Sequence, residues 1–208
     1  MRKTTLLGIA LPFALIAGAG TLAAQSTPSL PGTVDTSRVA SGTYAPDANH
    51  TIVGWRVNHF GFNDYFGQFG QATGTLVLDK DNPSASTVDI TIPVNSLVTS
   101  SERLTGHMAT ADFLDAANHP TARFVSHHVM IDGTKATIHG DLTLRGVTRP
   151  VTLNAEFVGA GTNPMNRKET VGFHGSMSIN RSEFGIAYAL PVVSDKVDLT
   201  ISVAFEKQ

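Results

Sequence analysis

The chain has 208 residues, of which 15 are basic, 17 acidic and none cysteine, and its hydrophobic fraction is 41%. Without cysteine it has no disulfide, thiolate metal site, iron–sulfur cluster or cysteine nucleophile, and a formal net charge of −2 argues against nucleic-acid binding. A charged fraction of 15% favours a folded protein over a disordered one, and a single apolar run of about twenty residues argues against a polytopic membrane protein.

The N-terminal segment is typical of a secretory signal peptide. Two basic residues precede an apolar stretch from Leu6 to Leu22, and the small residues Ala23 and Ala24 follow it. An uncleaved membrane anchor is the alternative, because the run approaches spanning length. The glycines and the proline inside the run favour cleavage. We therefore predict a signal peptide over residues 1–24, cleaved after Ala23 or Ala24, export to the periplasm, and no integral membrane span after cleavage.

Residues 25–43 are rich in Ser, Thr, Pro and Gly and lack a periodic apolar pattern. This composition is typical of a flexible linker. The folded unit is then expected over residues 44–208, which at about 165 residues is one domain with one core.

Period-two alternation of apolar and polar residues dominates this domain, as expected for strands with one buried face. The predicted strands cover residues 53–57, 69–78, 88–94, 122–131, 134–144, 147–158, 171–179 and 199–205. Eight consecutive strands, mostly joined by short turns, predict an all-β fold that is an antiparallel barrel or sandwich.

One segment between the third and fourth predicted strands has helical spacing instead. Thr99 and Glu102 form a possible capping box, and Leu104, Met108 and Ala111 follow at helical intervals. We predict one short helix here, lying across a sheet edge or a barrel end.

Two turn signals set the register of the middle strands. Asp132-Gly133 and Arg145-Gly146 are both read as two-residue hairpin turns, the first of which pairs Ile131 with Thr134. Both turns give the same apolar face. It consists of Val125, Val129, Ile138, Leu142, Leu144, Val147, Val151, Leu153 and Phe157, whereas the opposite face carries Ser126, His128, His139 and Thr152.

The same register predicts three polar residues on the apolar face. Arg123 and Arg149 flank Leu142, and His127 lies about 13 Å deeper. Arginines near the rim of an inner barrel face suit an acidic or phosphorylated head group, while the apolar residues hold its tail. The alternative is that both arginines end at the rim and extend into water, and a slip of one residue would exchange the two faces.

Several segments, in order along the chain, resemble YceI-like proteins. They are His50-Thr51, Trp55–Gly61, Asp112–Asp115 with His119-Pro120, Gly140–Val151, Asn180–Ile186 and Ser194–Val197. The resemblance covers residues 44–206. It implies an extended eight-stranded antiparallel β-barrel, lipocalin-like, with one short helix and a hydrophobic channel. It also implies binding of a polyisoprenoid or another long-chain amphiphilic lipid, usually in the periplasm, and it transfers no catalytic residue.

Seven aromatic residues fall between Tyr44 and Phe69 and are expected either to line one end of the channel or to form a local core that closes the barrel mouth. The predicted channel lining consists of Trp55, Val57, Phe60, Phe62, Val125, Ile138, Leu142, Leu144, Val151, Leu153, Phe157 and Phe173. The head-group candidates are Arg123, His127 and Arg149.

Motifs for other chemistry are missing from the sequence. The adjacent His127 and His128 point to opposite faces of a strand, and no metal-binding histidine spacing or G-x-S-x-G motif occurs. We therefore predict a binding protein without catalytic residues, metal or cofactor. Two alternatives stay open: a quinone-handling or redox partner protein, whose ligand would be an isoprenoid quinone, and a filled barrel with an interaction surface. A homodimer is a further open alternative.

Overall fold

The computed structural model describes residues 29–208, so the predicted signal peptide and the first residues of the predicted linker lie outside the described residues. Within this range no helix is long and apolar enough to cross a membrane. The strands are β1 (Gly42–Pro46), β2 (Ile52–His59), β3 (Asn63–Phe69), β4 (Thr73–Leu78), β5 (Thr87–Pro93), β6 (Val98–Thr99), β7 (Thr121–Asp132), β8 (Lys135–Leu144), β9 (Val147–Thr162), β10 (Glu169–Asn180) and β11 (Lys196–Lys207). Helix α1 covers Glu102–Met108, and 3-10 helices cover Thr36–Arg38, Pro83–Ala85, Val94–Ser96 and Arg181–Phe184.

Eight of these strands close into an antiparallel ring. The order is β1-β4-β5-β7-β8-β9-β10-β11, and β11 pairs back to β1. The remaining three extend the wall: β2 pairs with β11 and β3, and β3 pairs with β6. Thus β1 and β2 form two parts of one long strand, as do β3 with β4 and β5 with β6. The predicted eight-stranded antiparallel barrel is confirmed, and α1 follows the third of these long strands.

The two ends of the barrel differ. The helix end carries α1, residues 109–120, the β2–β3 and β8–β9 turns, and residues 181–195. The hairpin end carries the β4–β5, β7–β8 and β9–β10 turns. Among the described strands β6 pairs only with β3, so the sheet is interrupted between β6 and β7. At the helix end, Leu114 packs into a core cluster with Leu142 and Phe184, which attaches the segment after α1 to the barrel.

Helix α1 begins two residues later than the predicted capping box. Ser101, rather than Thr99, is the N-cap, and its Oγ accepts a hydrogen bond from the Leu104 N–H at 3.3 Å. The Oγ1 of Thr99 instead accepts from the Ser101 N–H at 3.1 Å and so shapes the turn before the helix. The N-cap is still a hydroxyl residue, but Leu104 rather than Glu102 stands three residues after it, so the predicted capping box does not form.

Three strand segments were not predicted: β1, most of β3, and the two-residue β6. In β1, Gly42 and Thr43 have the composition of a linker, yet Tyr44 is fully buried in a second core cluster beside Phe157 and Phe205. In β3, polar side chains occur on both faces, so period-two alternation is weak there. Pairing with β2 and β4 imposes the extended conformation where the local pattern does not.

The segment before β1 is attached to the barrel wall where it is described. The N–H groups of Thr33 and Ala160 each donate to the other residue's carbonyl, at 3.2 and 2.9 Å. Gly161 allows this approach, because a Cβ there would lie 2.0 Å from the Pro31 oxygen. Residues 29–41 therefore run along β9.

The first predicted hairpin turn is displaced by one residue. Gly133 and Thr134 form the turn, with Gly133 at φ 60°, and Ile131 pairs with Ala136 rather than with Thr134. The partner changes by two residues, which leaves each side chain on its original face.

A β-bulge in β7 has a larger consequence. His127 is an extra residue between the paired Ser126 and His128, and one extra residue exchanges the two faces for the part of the strand before it. Phe124 is therefore buried in the interior, and the prediction that Val125 shares that face is wrong. The turn signals alone could not reveal the bulge, because it lies several residues from both turns.

The second predicted register is confirmed. Leu142 pairs with Arg149 and Ile138 with Leu153, as the Arg145-Gly146 turn predicts. Arg145 has φ 50° and Gly146 has φ 73°, the positive values that a type I′ turn needs at both central positions.

Candidate functional site

The barrel interior contains a cavity of about 860 Å³, within the range of small-molecule binding sites. Tyr188 and Ala189 border it at the helix end, and Gly133 and Thr134 border it at the hairpin end. The ten residues of β8 run between these ends, a length of about 30 Å along the strand. The cavity is therefore long and narrow.

Small residues explain why the interior is not filled. Ala136 pairs with Ala155, which in turn pairs with Gly175, so three adjacent strands present small residues at one level. All three border the cavity. An eight-stranded barrel has room for interior side chains or for one slender ligand, and this row of small residues favours the ligand.

Most of the predicted channel residues border this cavity. They are Trp55, Val57, Phe60, Ile138, Leu142, Leu144, Leu153, Phe157 and Phe173. Three do not. Phe62 is 90% exposed at the tip of the β2–β3 turn, Val125 is on the outer side because of the bulge, and Val151 packs against the core clusters instead.

The three predicted head-group residues are not brought together in the interior. Arg123 borders the cavity, but the bulge turns its side chain to the outer face, where its Nε donates to Asp89 at 2.8 Å. This pairing holds the pKa of the Asp89 carboxyl below its usual value. The bulge residue His127 pairs with Asp141 across the outer face, at 2.8 Å. Arg149 shares the register of the inner face but is exposed and does not border the cavity.

Polar residues at the helix end were missed as site candidates. Arg103 and His107 lie one turn apart on α1 and both border the cavity, as does Tyr188. The His107 ring is edge-on to Phe113 and Tyr188, with centroids 5.1 and 5.2 Å apart, and its Nε2 lies 2.9 Å from Asp112 Oδ2. The i, i+4 spacing of Arg103 and His107 places both on one face of the predicted helix, and this spacing could have identified them as a pair.

The wall at the helix end depends on Arg181. This residue is 5% exposed, and its guanidinium donates to the carbonyls of Ile186, Tyr188, Val193 and Ser194 at 2.8–3.0 Å. Burial lowers the pKa of Arg181, and Asp195 opposes this effect. An arginine remains charged in proteins, so the cation serves as the centre around which residues 185–194 are wrapped.

Two further contacts attach this loop to its surroundings. The Asp195 carboxylate accepts from the N–H and the Oγ of Ser182, at 2.8 and 2.6 Å. The Arg145 guanidinium donates to the Gly185 carbonyl and, at 2.6 Å, to that of Ala111. Arg145 thus links the segment after α1 to the segment after β10, across the end of the barrel.

Charge is distributed unevenly along the cavity. Arg103, Arg123 and Arg181 border the helix end, where no aspartate or glutamate borders the described cavity. Arg123 is paired with Asp89, whereas Arg103 forms no salt bridge within residues 29–208. At the hairpin end, Asp79 borders the cavity together with Lys80 and Lys135. The helix end is therefore the more electropositive of the two.

Trp55 contributes an unusual polar atom. Its side chain is 6% exposed and borders the cavity, and its Nε1–H has no hydrogen-bond partner among the described residues. Gly67 admits the indole ring, because a Cβ at that position would lie 2.2 Å from it. A buried donor without a partner costs about 1–3 kcal/mol, which a ligand oxygen could recover.

Comparison with known proteins gives the family. Residues 44–205 match the model of the YceI-like domain, which is most of the chain. The chain belongs to the YceI-like family. A relative, Protein YceI of Escherichia coli O157:H7, is 40% identical over 157 residues, which is 76% of this chain and 82% of the relative.

Solved structures share the fold. Burkholderia cenocepacia BcnA has a TM-score of 0.69 at 22% identity, covering 76% of this chain and 98% of that one. A polyisoprenoid binding domain from Saccharophagus degradans, implicated in plant cell wall breakdown, has a TM-score of 0.60 at 15% identity, covering 79% and 98%. The sequence segments that resemble the family include Arg145, Arg181 and Asp195, which hold the helix end together.

Proposed function

We propose that this YceI-like protein encloses the tail of a polyisoprenoid or similar long-chain amphiphile in the barrel, without turnover, in the periplasm. The long apolar cavity is the observation that carries the proposal. At about 30 Å³ for each water-sized group, its volume suits roughly thirty non-hydrogen atoms. The fold it shares with a polyisoprenoid binding domain supports the ligand class.

Filling the row of small residues tests this proposal. We expect protein purified from its own host to carry an apolar lipid, and Ala155→Trp to lose most of it, because the indole occupies the space beside Ala136 and Gly175. Native mass spectrometry and solvent extraction measure the lipid. Asn154→Trp is the control, since the neighbouring residue points outward and should leave the lipid content unchanged.

A lipid-free wild-type protein that also takes up no isoprenoid or fatty-acid amphiphile would contradict the proposal. Equal lipid content in the two tryptophan variants would show that the cavity does not hold the lipid.

We propose that the polar head of the ligand lies at the helix end. This replaces the predicted trio of Arg123, His127 and Arg149 with Arg103 and His107, which border the cavity. Of the trio only Arg123 also borders it, and its guanidinium is paired with Asp89. The electropositive character of this end favours an anionic head, since Arg103 has no carboxylate partner among residues 29–208 and a guanidinium matches phosphate oxygens.

Head-group selectivity tests this placement. We expect wild-type protein to bind farnesyl phosphate more tightly than farnesol, and Arg103→Gln to reduce that preference about fivefold, because the exposed cation contributes roughly 1 kcal/mol. Titration calorimetry with both probes gives the ratio. Lys135→Gln at the hairpin end is the matched control and should keep the wild-type ratio.

An isoprenoid quinone is the second candidate ligand. The unpartnered Nε1–H of Trp55 favours a ligand with a buried carbonyl oxygen, and the aromatic group of His107, Phe113 and Tyr188 suits a planar head. A quinone in the extracted lipid, identified by its absorbance change on reduction with borohydride, would select this candidate over an isoprenyl phosphate.

A further inference from the structure

Exposed aromatic and aliphatic side chains surround the cavity at the helix end. Phe62 is 90% exposed, and Phe60, Tyr188 and Val192 are each about half exposed. We define these four residues as the rim. Phe60 and Tyr188 also border the cavity, so the apolar surface of the rim continues into the interior, beside the polar residues Arg103 and His107.

The rim is held in place by backbone hydrogen bonds between two loops. The Phe60 N–H donates to the Val192 carbonyl at 2.7 Å, and the Ser194 N–H donates to the Asn58 carbonyl at 2.9 Å. His59 and Val193 form an isolated β-bridge beside these bonds. The backbone of the two loops that carry the rim is therefore held in place, and little backbone entropy is lost when the rim is covered.

Phe60 is held in an unfavourable backbone conformation. Its φ of 58° lies in the left-handed region, where a bulky side chain is rare and glycine or asparagine is less strained. Gly61 follows at φ 72° and can adopt it freely. A phenylalanine kept at a strained and half-exposed position indicates a use for its ring beyond folding.

We propose that the rim is a docking surface for a lipid bilayer, through which the ligand enters and leaves the cavity. This inference rests on the proposed function, because an insoluble isoprenoid chain resides in membranes. Contact between the rim and the bilayer would let that chain pass between two apolar environments without crossing water. Phenylalanine and tyrosine suit the boundary between head groups and acyl chains. At the same end Arg103, which has no salt-bridge partner within residues 29–208, is complementary to lipid phosphates.

The opposite end of the barrel supplies a contrast. The cavity is bordered there by Asp79, Lys80 and Lys135, and charged side chains disfavour insertion into a bilayer. Met165, in the β9–β10 turn, is 91% exposed at that end. It therefore offers an equally exposed apolar side chain outside the rim.

Vesicle binding by matched variants tests the docking surface. The protein is purified in the form its host produces, so that wild type, Phe62→Ser and Met165→Ser share one N-terminus and its contribution cancels. Co-sedimentation with phosphatidylcholine vesicles, which carry no net charge, measures the partition coefficient. We expect Phe62→Ser to lower it about tenfold and Met165→Ser to change it less than twofold.

Other outcomes would overturn the proposal. Equal losses in the two variants would show that the rim is not special, and no vesicle binding by wild type would exclude docking. If Phe62→Ser instead changes the sedimentation coefficient without vesicles, the rim is an interface between copies of the chain. Affinity for farnesyl phosphate in solution, measured by titration calorimetry on the same preparations, should be unchanged in Phe62→Ser, because Phe62 does not border the cavity. This separates a failure of docking from a failure of lipid binding.

Discussion

Replacing Arg181 with methionine is expected to destabilise the barrel by about 3–5 kcal/mol, because four backbone carbonyls lose their donor in a buried site. Methionine keeps the length and apolar character of the side chain, so the loss reports mainly the hydrogen bonds. Urea denaturation measures the free energy of unfolding.

The control is Arg123→Met. This guanidinium pairs with Asp89 on the outer face, where solvent screens the interaction, and its removal should leave stability close to wild type. Hydrogen exchange should locate the effect of Arg181→Met in residues 185–194. A uniform loss of protection over the whole barrel, or equal stability of the two variants, would show that Arg181 does not organise the helix end.

An aspartate at Leu153 is expected to empty the cavity of lipid and to destabilise the fold by several kcal/mol. Leu153 borders the cavity and packs against the cluster of Phe124, Val129 and Ile138, so a carboxylate there is buried without a partner. Lipid content after purification and the urea midpoint are the two measurements.

Thr152→Asp is the matched control at the adjacent position. Thr152 points outward, and its Oγ1 lies 3.0 Å from Nδ1 of His139, so a carboxylate there remains in water beside a histidine. We expect both measurements to stay near wild-type values. Equal effects at residues 152 and 153 would contradict the inner and outer faces assigned to β9.

The barrel itself follows from local patterns in the sequence. Period-two alternation identified the eight long strands, and the Arg145-Gly146 turn fixed the pairing of β8 with β9. The resemblance to the YceI-like family selected a barrel over a sandwich. Alternation failed in β1 and β3, where neighbouring strands rather than the residues' own pattern impose the extended conformation.

The candidate site was predicted less well, for one main physical reason. Inner and outer faces were counted from the turns, and the extra residue His127 in β7 exchanged them. The side chains of Arg123 and Val125 therefore point outward, and that of Phe124 lies in the interior. No local signal marks a bulge in the middle of a strand. Arg103 and His107 were missed for another reason. Helix α1 was predicted, but these side chains border the cavity only because the closed barrel places α1 at its end.

The break in the sheet between β6 and β7 divides the molecule into two kinds of structure. The ring of eight strands is held by strand pairing, whereas the helix end is held largely by guanidinium groups bound to carbonyls. Local opening at that end therefore leaves the ring intact and costs less than global unfolding. We therefore expect the rate at which the proposed ligand enters and leaves to depend more on substitutions near Arg145 and Arg181 than on substitutions within the ring.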